Sequence, residues 1–194
     1  MNSVSTPQTL PIARPAQSAL ARAAAEVVLG SLLVAICAHV AIPLGFTPVP
    51  VTLQTFAVLF LGLFLSPRIA ASAMVLYLIE GMAGLPVFSS LGPVGFLHLF
   101  GPTGGYLLSY PAAAALAGYL RRRIGQGGFT PSLLAAASAS VLILISGAAW
   151  FSILTHQSAA TVFTLSVAPF LAGDILKVVA AAGAATGLRR FRRA

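Results

Sequence analysis

The chain has 194 residues, 58% hydrophobic and only 7% charged, with a net charge of +8 from eleven Lys and Arg against three acids. Water-soluble domains carry about 25% charged residues, so a soluble globular fold is excluded and an integral membrane protein is expected. One cysteine, Cys37, excludes an internal disulfide framework and a cysteine metal site.

Residues 1–22 are polar, with Pro7, Pro11 and Pro15, and read as a disordered cytoplasmic tail. A cleaved secretory signal is the rival reading, but losing the first apolar run would break the charge pattern below. Six apolar runs follow, at 23–44, 49–66, 69–85, 104–120, 133–155 and 167–188, and residues 189–194 form a basic cytoplasmic tail. Most approach the ~20 residues that a helix needs to cross the hydrocarbon core. The second, third and fourth are slightly short, consistent with tilt or a locally thin region. Backbone groups in lipid must be satisfied internally, so helices are expected. The alternation of a membrane barrel is absent.

The basic residues sort by connection. Arg14 and Arg22 precede the first run, Arg68 lies between the second and third, Arg121, Arg122 and Arg123 follow the fourth, and Arg189, Arg190, Arg192 and Arg193 follow the sixth. Every other connection lacks them. This alternation predicts an all-α membrane protein of six transmembrane helices with both termini cytoplasmic, and it explains the positive charge without nucleic acid.

Two outside loops, "IPLGFTPVPVTLQT" and "GLPVFSSLGPVGFLHLFGPTGGY", contain no Lys, Arg, Asp or Glu. Loops so rich in Gly, Pro and aromatics either fold back as a lid or pack on the bundle. Beneath them lie three charges. Counting 1.5 Å per residue, Asp174 is ~10 Å below the outer end of the sixth run and Glu80 ~7 Å below that of the third. Lys177, the chain's one lysine, is a turn beyond Asp174 on the same face. Charges at membrane depth are costly and by default face a cavity or pathway. The alternative for Asp174 and Lys177 is an ion pair that holds helices together. Glu80 could pair with Lys177, face the loop or line the pocket.

Other chemistry is sparse. His39, His98 and His156 have no ligand spacing, and no metal motif occurs. A phosphate-binding loop is excluded because Lys177 follows Leu176. "GPTGG" at 101–105 suits a tight turn opening the fourth helix, where Thr103 and the helix N-terminus offer polar groups. Small residues in the first run (Ala21, Ala25, Gly30, Ser31, Ala35, Ala38) and the sixth (Ala180–Ala185 around Gly183) allow close packing, within the chain or against a partner.

"IPLGFTPVPVTLQTF", "GLPVF", "GPTGGYLLSYPAAA" and "PFLAGDILKVVAAA" together resemble the BioY family, the biotin-capturing S components of energy-coupling-factor transporters. The resemblance runs from the first run to the sixth. It implies a compact S-component bundle in the bacterial cytoplasmic membrane, with biotin held near the outer face beneath the first loop. It implies that Asp174 and Lys177 bind the vitamin. Thr103, Gly104, Gly105 and Tyr106, with Thr52 and Gln54, are further candidates. Biotin's ureido ring offers two N–H donors and a carbonyl. Asp174 would accept an N–H, and Lys177 would reach a carbonyl oxygen or the valeryl carboxylate. Phe46, Phe88 and Phe96 would cover the apolar parts. Biotin would be a transported ligand and no cofactor is expected. The partners implied are membrane lipid, a coupling transmembrane protein and ABC-type ATPases. The family's Ala-x-x-x-Ala docking pattern in the first span is matched literally by Ala21 and Ala25 at the cytoplasmic edge, and deeper in only by Ser31 and Ala35. The rivals are an S component for a different vitamin and, from another class, a membrane enzyme using Asp174 or Glu80 as acid or base; no nucleophile or metal set supports the enzyme.

Overall fold

The computed structural model describes residues 16–125 and 128–191. Residues 1–15, with Arg14 and the three N-terminal prolines, and Arg192 and Arg193 lie outside the described residues. Among the described residues there are seven α-helices: α1 (Ala16–His39), α2 (Gln54–Phe64), α3 (Pro67–Met82), α4 (Gly104–Ile124), α5 (Phe129–Thr155), α6 (Ala159–Ser166) and α7 (Leu171–Phe191).

Helix α1 begins at Ala16, inside the stretch expected to be tail. Alanine is the best helix former, and Arg22 pairs with Glu26 across one turn at 3.1 Å. Its other end falls at His39, five residues before the expected limit, because Pro43 disfavours helix at Ile42. Ala41–Ile42 (β1) instead pairs antiparallel with Val51–Thr52 (β2). Helix α2 consequently starts at Gln54 rather than at 49, since Pro48 and Pro50 break the preceding stretch. Ser66 then caps α3, its Oγ accepting from the Ile69 amide at 3.3 Å, with Pro67 in the first turn. Gly84, at φ +89°, follows the end of α3.

The outer loop after α3 contains a 3₁₀ turn at Gly95–Phe100. Helix α4 continues through the arginine run to Ile124. It contains Pro111, which has no N–H for the Leu107 carbonyl one turn back. The sixth run, expected as one helix from 167, is preceded by α6, with Ser158 as its cap. A 3₁₀ turn at Ala168–Phe170 then bends the chain at Pro169, and α7 begins at Leu171.

Helix α4 is the centre of the bundle, packing on α5, α3 and α2; α7 packs on α2 and α5, and α1 packs on α3. Small residues set these approaches. A Cβ on Gly62 would lie 2.7 Å from the Ala114 carbonyl and 3.0 Å from the Ala117 Cβ. Ala70, Ala73, Ala113, Ala136, Ala139 and Ala181 are wholly buried. The small residues of α1 divide by face: Gly30, Ser31, Ala35 and Ala38 point into the bundle, and Ala21 and Ala25 are exposed. Ser31 and Ala35 are therefore spent on internal packing and do not form a docking surface.

Leu29, Leu32, Ile36, Ile145, Ile153, Ile175 and Leu176 are exposed over the outside of the helices, an apolar belt suited to lipid. Among the described residues, three stretches are long and apolar enough to cross a membrane: Ser18–His39, Phe129–Thr155 and, across the bend, Ala159–Arg190. Helices α2 and α3, at 11 and 16 residues, fall short of that length.

The short α2 ends inside the bundle, where its last carbonyls need donors. Arg121 of α4 donates to the Leu63 carbonyl. Arg189 of α7 donates to the carbonyls of Leu63 (2.9 Å) and Phe64 (2.7 Å). Guanidinium groups at a helix C-terminus satisfy these acceptors and oppose the negative end of the dipole.

Candidate functional site

A pocket opens between the start of α4, the start of α2, the middle of α5 and the first turns of α7, and holds ≈ 530 Å³ with its mouth included. Helix α7 presents Asp174 and Lys177 to it. The two pair at 3.3 Å, with side chains only 9% and 12% exposed. Ser140 of α5 donates to the second Asp174 oxygen at 3.4 Å, so the carboxylate has one contact on its own helix and one on the facing helix. A paired, nearly buried carboxylate and ammonium at a cavity wall can present an acceptor and a donor to one polar ligand.

The opposite wall comes from the chain entering α2. Gln54 donates to the Tyr77 hydroxyl at 2.5 Å and accepts from Thr52 Oγ1 at 3.0 Å. Both ends of its amide are therefore oriented, and Thr52 and Gln54 both line the pocket. Thr55, one residue on, also lines it; its Oγ1 is buried and has no hydrogen-bond partner among the described residues. Buried polar groups are nearly always paired, which marks this hydroxyl as awaiting a ligand or water.

From α4 come Tyr106, Leu107 and Tyr110, with Thr103 just before its first residue. The Tyr106 hydroxyl donates to the Ser166 carbonyl at the end of α6. Gly104 and Gly105 do not line the pocket. A Cβ on Gly104 would strike the Leu99 carbonyl, and one on Gly105 would strike the Trp150 Cβ and the Ser146 carbonyl. These glycines let α4 close on α5 and on the outer 3₁₀ turn. Trp150 completes the junction by donating Nε1–H to the Gly101 carbonyl at 2.9 Å.

The outside loops reach over the same space. Val49 and Pro50 from the first, and Ser89 and His98 from the second, line it. Thr47 Oγ1 donates to the Leu165 carbonyl at 2.7 Å, tying the first loop to α6. Of the three phenylalanines expected to cover a ligand, Phe46 and Phe96 are exposed, and Phe88 is buried edge-on against Tyr77. The aromatic lining comes instead from Tyr106, Tyr110 and Phe170. His98, set aside in the sequence for want of ligand spacing, is buried there, its Nδ1 within 2.9 Å of the Pro93 carbonyl. His39, at the end of α1, is exposed. Of the expected places for Glu80, the pair with Lys177 and the pocket lining are not taken: Lys177 pairs with Asp174, and Glu80 accepts from Ser31 of α1.

The sequence from residue 7 to 194 matches the model of the BioY family. It is 35% identical over 161 residues to a probable biotin transporter BioY of Pyrococcus horikoshii, covering 81% of this chain and 92% of that protein. It is 33% identical over 153 residues to the biotin transporter BioY2 of Lactococcus lactis, covering 79% and 82%. Its fold matches the crystal structure of the S component for biotin from an ECF-type ABC transporter with a TM-score of 0.81, over 92% of this chain and 95% of that one at 23% identity.

Proposed function

Since the chain belongs to the BioY family, we propose that it captures biotin at the outer face of the bacterial cytoplasmic membrane and serves as the substrate-binding component of an ECF-type transporter. The observation that carries this reading is the Asp174–Lys177 pair, nearly buried at the wall of a pocket roofed by uncharged loops. Asp174 accepts a ureido N–H, and Lys177 donates to the ureido carbonyl or the valeryl carboxylate. Gln54, Thr52, Thr103 and Tyr106 supply further polar contacts. Gly104 and Gly105 act by holding Tyr106 and Thr103 in place. Phe170 and Tyr110 cover the apolar ring and chain.

Six crossings are proposed: α1, the β2–α2 segment, α3, α4, α5 and the bent α6–α7 stretch, with both termini cytoplasmic. The alternation of arginines among the connections supports it. Active uptake would draw its energy from a coupling membrane protein and ATPases, as the ECF context of the matched S component supports.

The test is equilibrium binding of biotin to the purified protein. A dissociation constant below about 1 μM, worth roughly 8 kcal/mol, is expected. Failure to bind in that range, with another vitamin binding instead, moves the chain to a different substrate.

Thr55 gives a sharper check within the site. In Thr55→Val the unpaired hydroxyl becomes a methyl of similar size. Biotin binding weakens roughly three- to tenfold, matching about 1 kcal/mol for one neutral hydrogen bond, while the ligand-free protein melts no lower than before. Unchanged affinity would show that the hydroxyl meets no ligand.

A further inference from the structure

The pocket wall at the start of α2 is held by a residue that lies behind it. Tyr77 of α3 is wholly buried, and its hydroxyl accepts a hydrogen bond from Gln54 Nε2 at 2.5 Å. Gln54 and Thr52 line the pocket, and Tyr77 does not. The Tyr77 ring is itself fixed in place. Phe88, from the second outside loop, meets it edge-on with ring centroids 5.4 Å apart. Phe88 in turn fills the notch left by Gly81, where a Cβ would lie 2.1 Å from its ring. Its ring also packs on His98, which lines the pocket.

Resting on the reading of this pocket as a biotin site, we propose that Tyr77 is a positioning residue for ligand capture, holding the Gln54 amide in the orientation that meets biotin. A glutamine side chain is long and loses much rotamer freedom when it is ordered. Gln54 is the first residue of α2, and Leu53 before it provides no side-chain cap, so local helix chemistry gives the amide nothing to hold. Thr52 donates to Gln54 Oε1 at 3.0 Å, but Thr52 is only half-buried and its hydroxyl rotates. The Tyr77 hydroxyl sits on a ring that its packing fixes. With one Nε2–H on Tyr77 and Oε1 on Thr52, the second Nε2–H has no partner among the described residues, and it is the donor left for a ligand oxygen. The amide is thus ordered during folding, and biotin does not bear that cost on binding. Core filling alone does not require a tyrosine here. Phenylalanine would occupy the same space, and the one hydrogen-bond partner of the hydroxyl among the described residues is Gln54.

The experiment uses the full chain in a neutral detergent and compares the wild type with Tyr77→Phe, Gln54→Ala and the double variant. Biotin affinity and melting temperature are measured for each, and the side-chain amide signals of Gln54 are followed by NMR without ligand. Tyr77→Phe is expected to weaken biotin binding about two- to tenfold, the cost of ordering one rotamer-rich side chain on binding. The double variant is expected to bind within about twofold of Gln54→Ala alone, because the hydroxyl acts only through the amide. In the ligand-free wild type the Gln54 amide protons exchange slowly with water, and in Tyr77→Phe they exchange fast. A hydroxyl that serves stability alone would lower the melting temperature of Tyr77→Phe and leave affinity and amide exchange unchanged, which overturns the proposal. An equal loss of affinity from Tyr77→Phe with and without Gln54 overturns it as well. If the wild type does not bind biotin, the biotin reading falls, and the amide exchange still decides whether Tyr77 positions Gln54.

Discussion

Asp174→Asn weakens biotin binding by about 10- to 100-fold, the scale of a charge-assisted hydrogen bond lost in a buried site. The amide keeps the shape of the carboxylate and an acceptor for Ser140, but it loses the charge that faces Lys177. Lys177→Met should do similar damage from the other side. Each single variant also leaves one buried charge without its partner, at a cost to stability of about 3–5 kcal/mol. The double variant Asp174→Asn/Lys177→Met removes both charges and recovers much of that stability. The two readings of the pair separate here. If the pair only fastens α7, the double variant regains biotin binding along with its melting temperature. If the pair holds the ligand, the melting temperature returns and binding does not. Both quantities come from one preparation, by thermal unfolding and equilibrium binding.

Gly105→Ala is the second large effect. The added Cβ strikes the backbone carbonyl of Ser146 and the first side-chain carbon of Trp150, neither of which can rotate away. Helices α4 and α5 must separate, and overpacking of this kind costs about 1–3 kcal/mol. Tyr106 is the next residue, and its ring lies so close to Gly147 that a Cβ there would strike it too. The shift therefore carries into the pocket, and biotin affinity should fall together with the melting temperature. Gly183→Ala on α7 is the control, because a Cβ there meets nothing within 4 Å. That change removes a helix-weakening glycine and is expected to stabilise by up to about 1 kcal/mol. Equal melting temperatures for the two variants would refute this account of the α4–α5 junction.

Much of the design was legible because it is local. Asp174 and Lys177 lie one turn apart, and any helix through them puts both on one side. The limits of α4 at Gly104 and of α5 at Thr155 follow from turn chemistry and loss of apolar pattern nearby. The late start of α2 was also readable, since Pro48 and Pro50 stand in plain view. What was not legible depends on distant neighbours. Gly104 and Gly105 look like room for a ligand until Trp150, which fills the space, is placed beside them. Glu80 looks like a member of the polar site until Ser31, 49 residues earlier, is seen to occupy it. The exposed Phe46 and Phe96 and the buried Phe170 and Tyr110 cannot be ranked by composition, because aromatic residues suit lipid and pocket alike. Thr55 lies inside the stretch "IPLGFTPVPVTLQTF", but nothing there sets it apart from Thr52 and Gln54. Only the accounting of buried hydroxyls singles it out.

Pro111 gives α4 a mechanical character that its length conceals. One backbone rung is missing above Leu107, a pocket-lining residue, so the outer and inner rods of the helix are joined by one bond fewer. The outer rod, from Gly104 to Tyr110, is bolted to α5 through Gly105 and Gly147. The inner rod is keyed to α2, where Gly62 meets Ala114 and Ala117 and Gly118 meets the Gly62 carbonyl. The outer half of α4 is thus held by α5 and the inner half by α2, with one backbone bond fewer between the two.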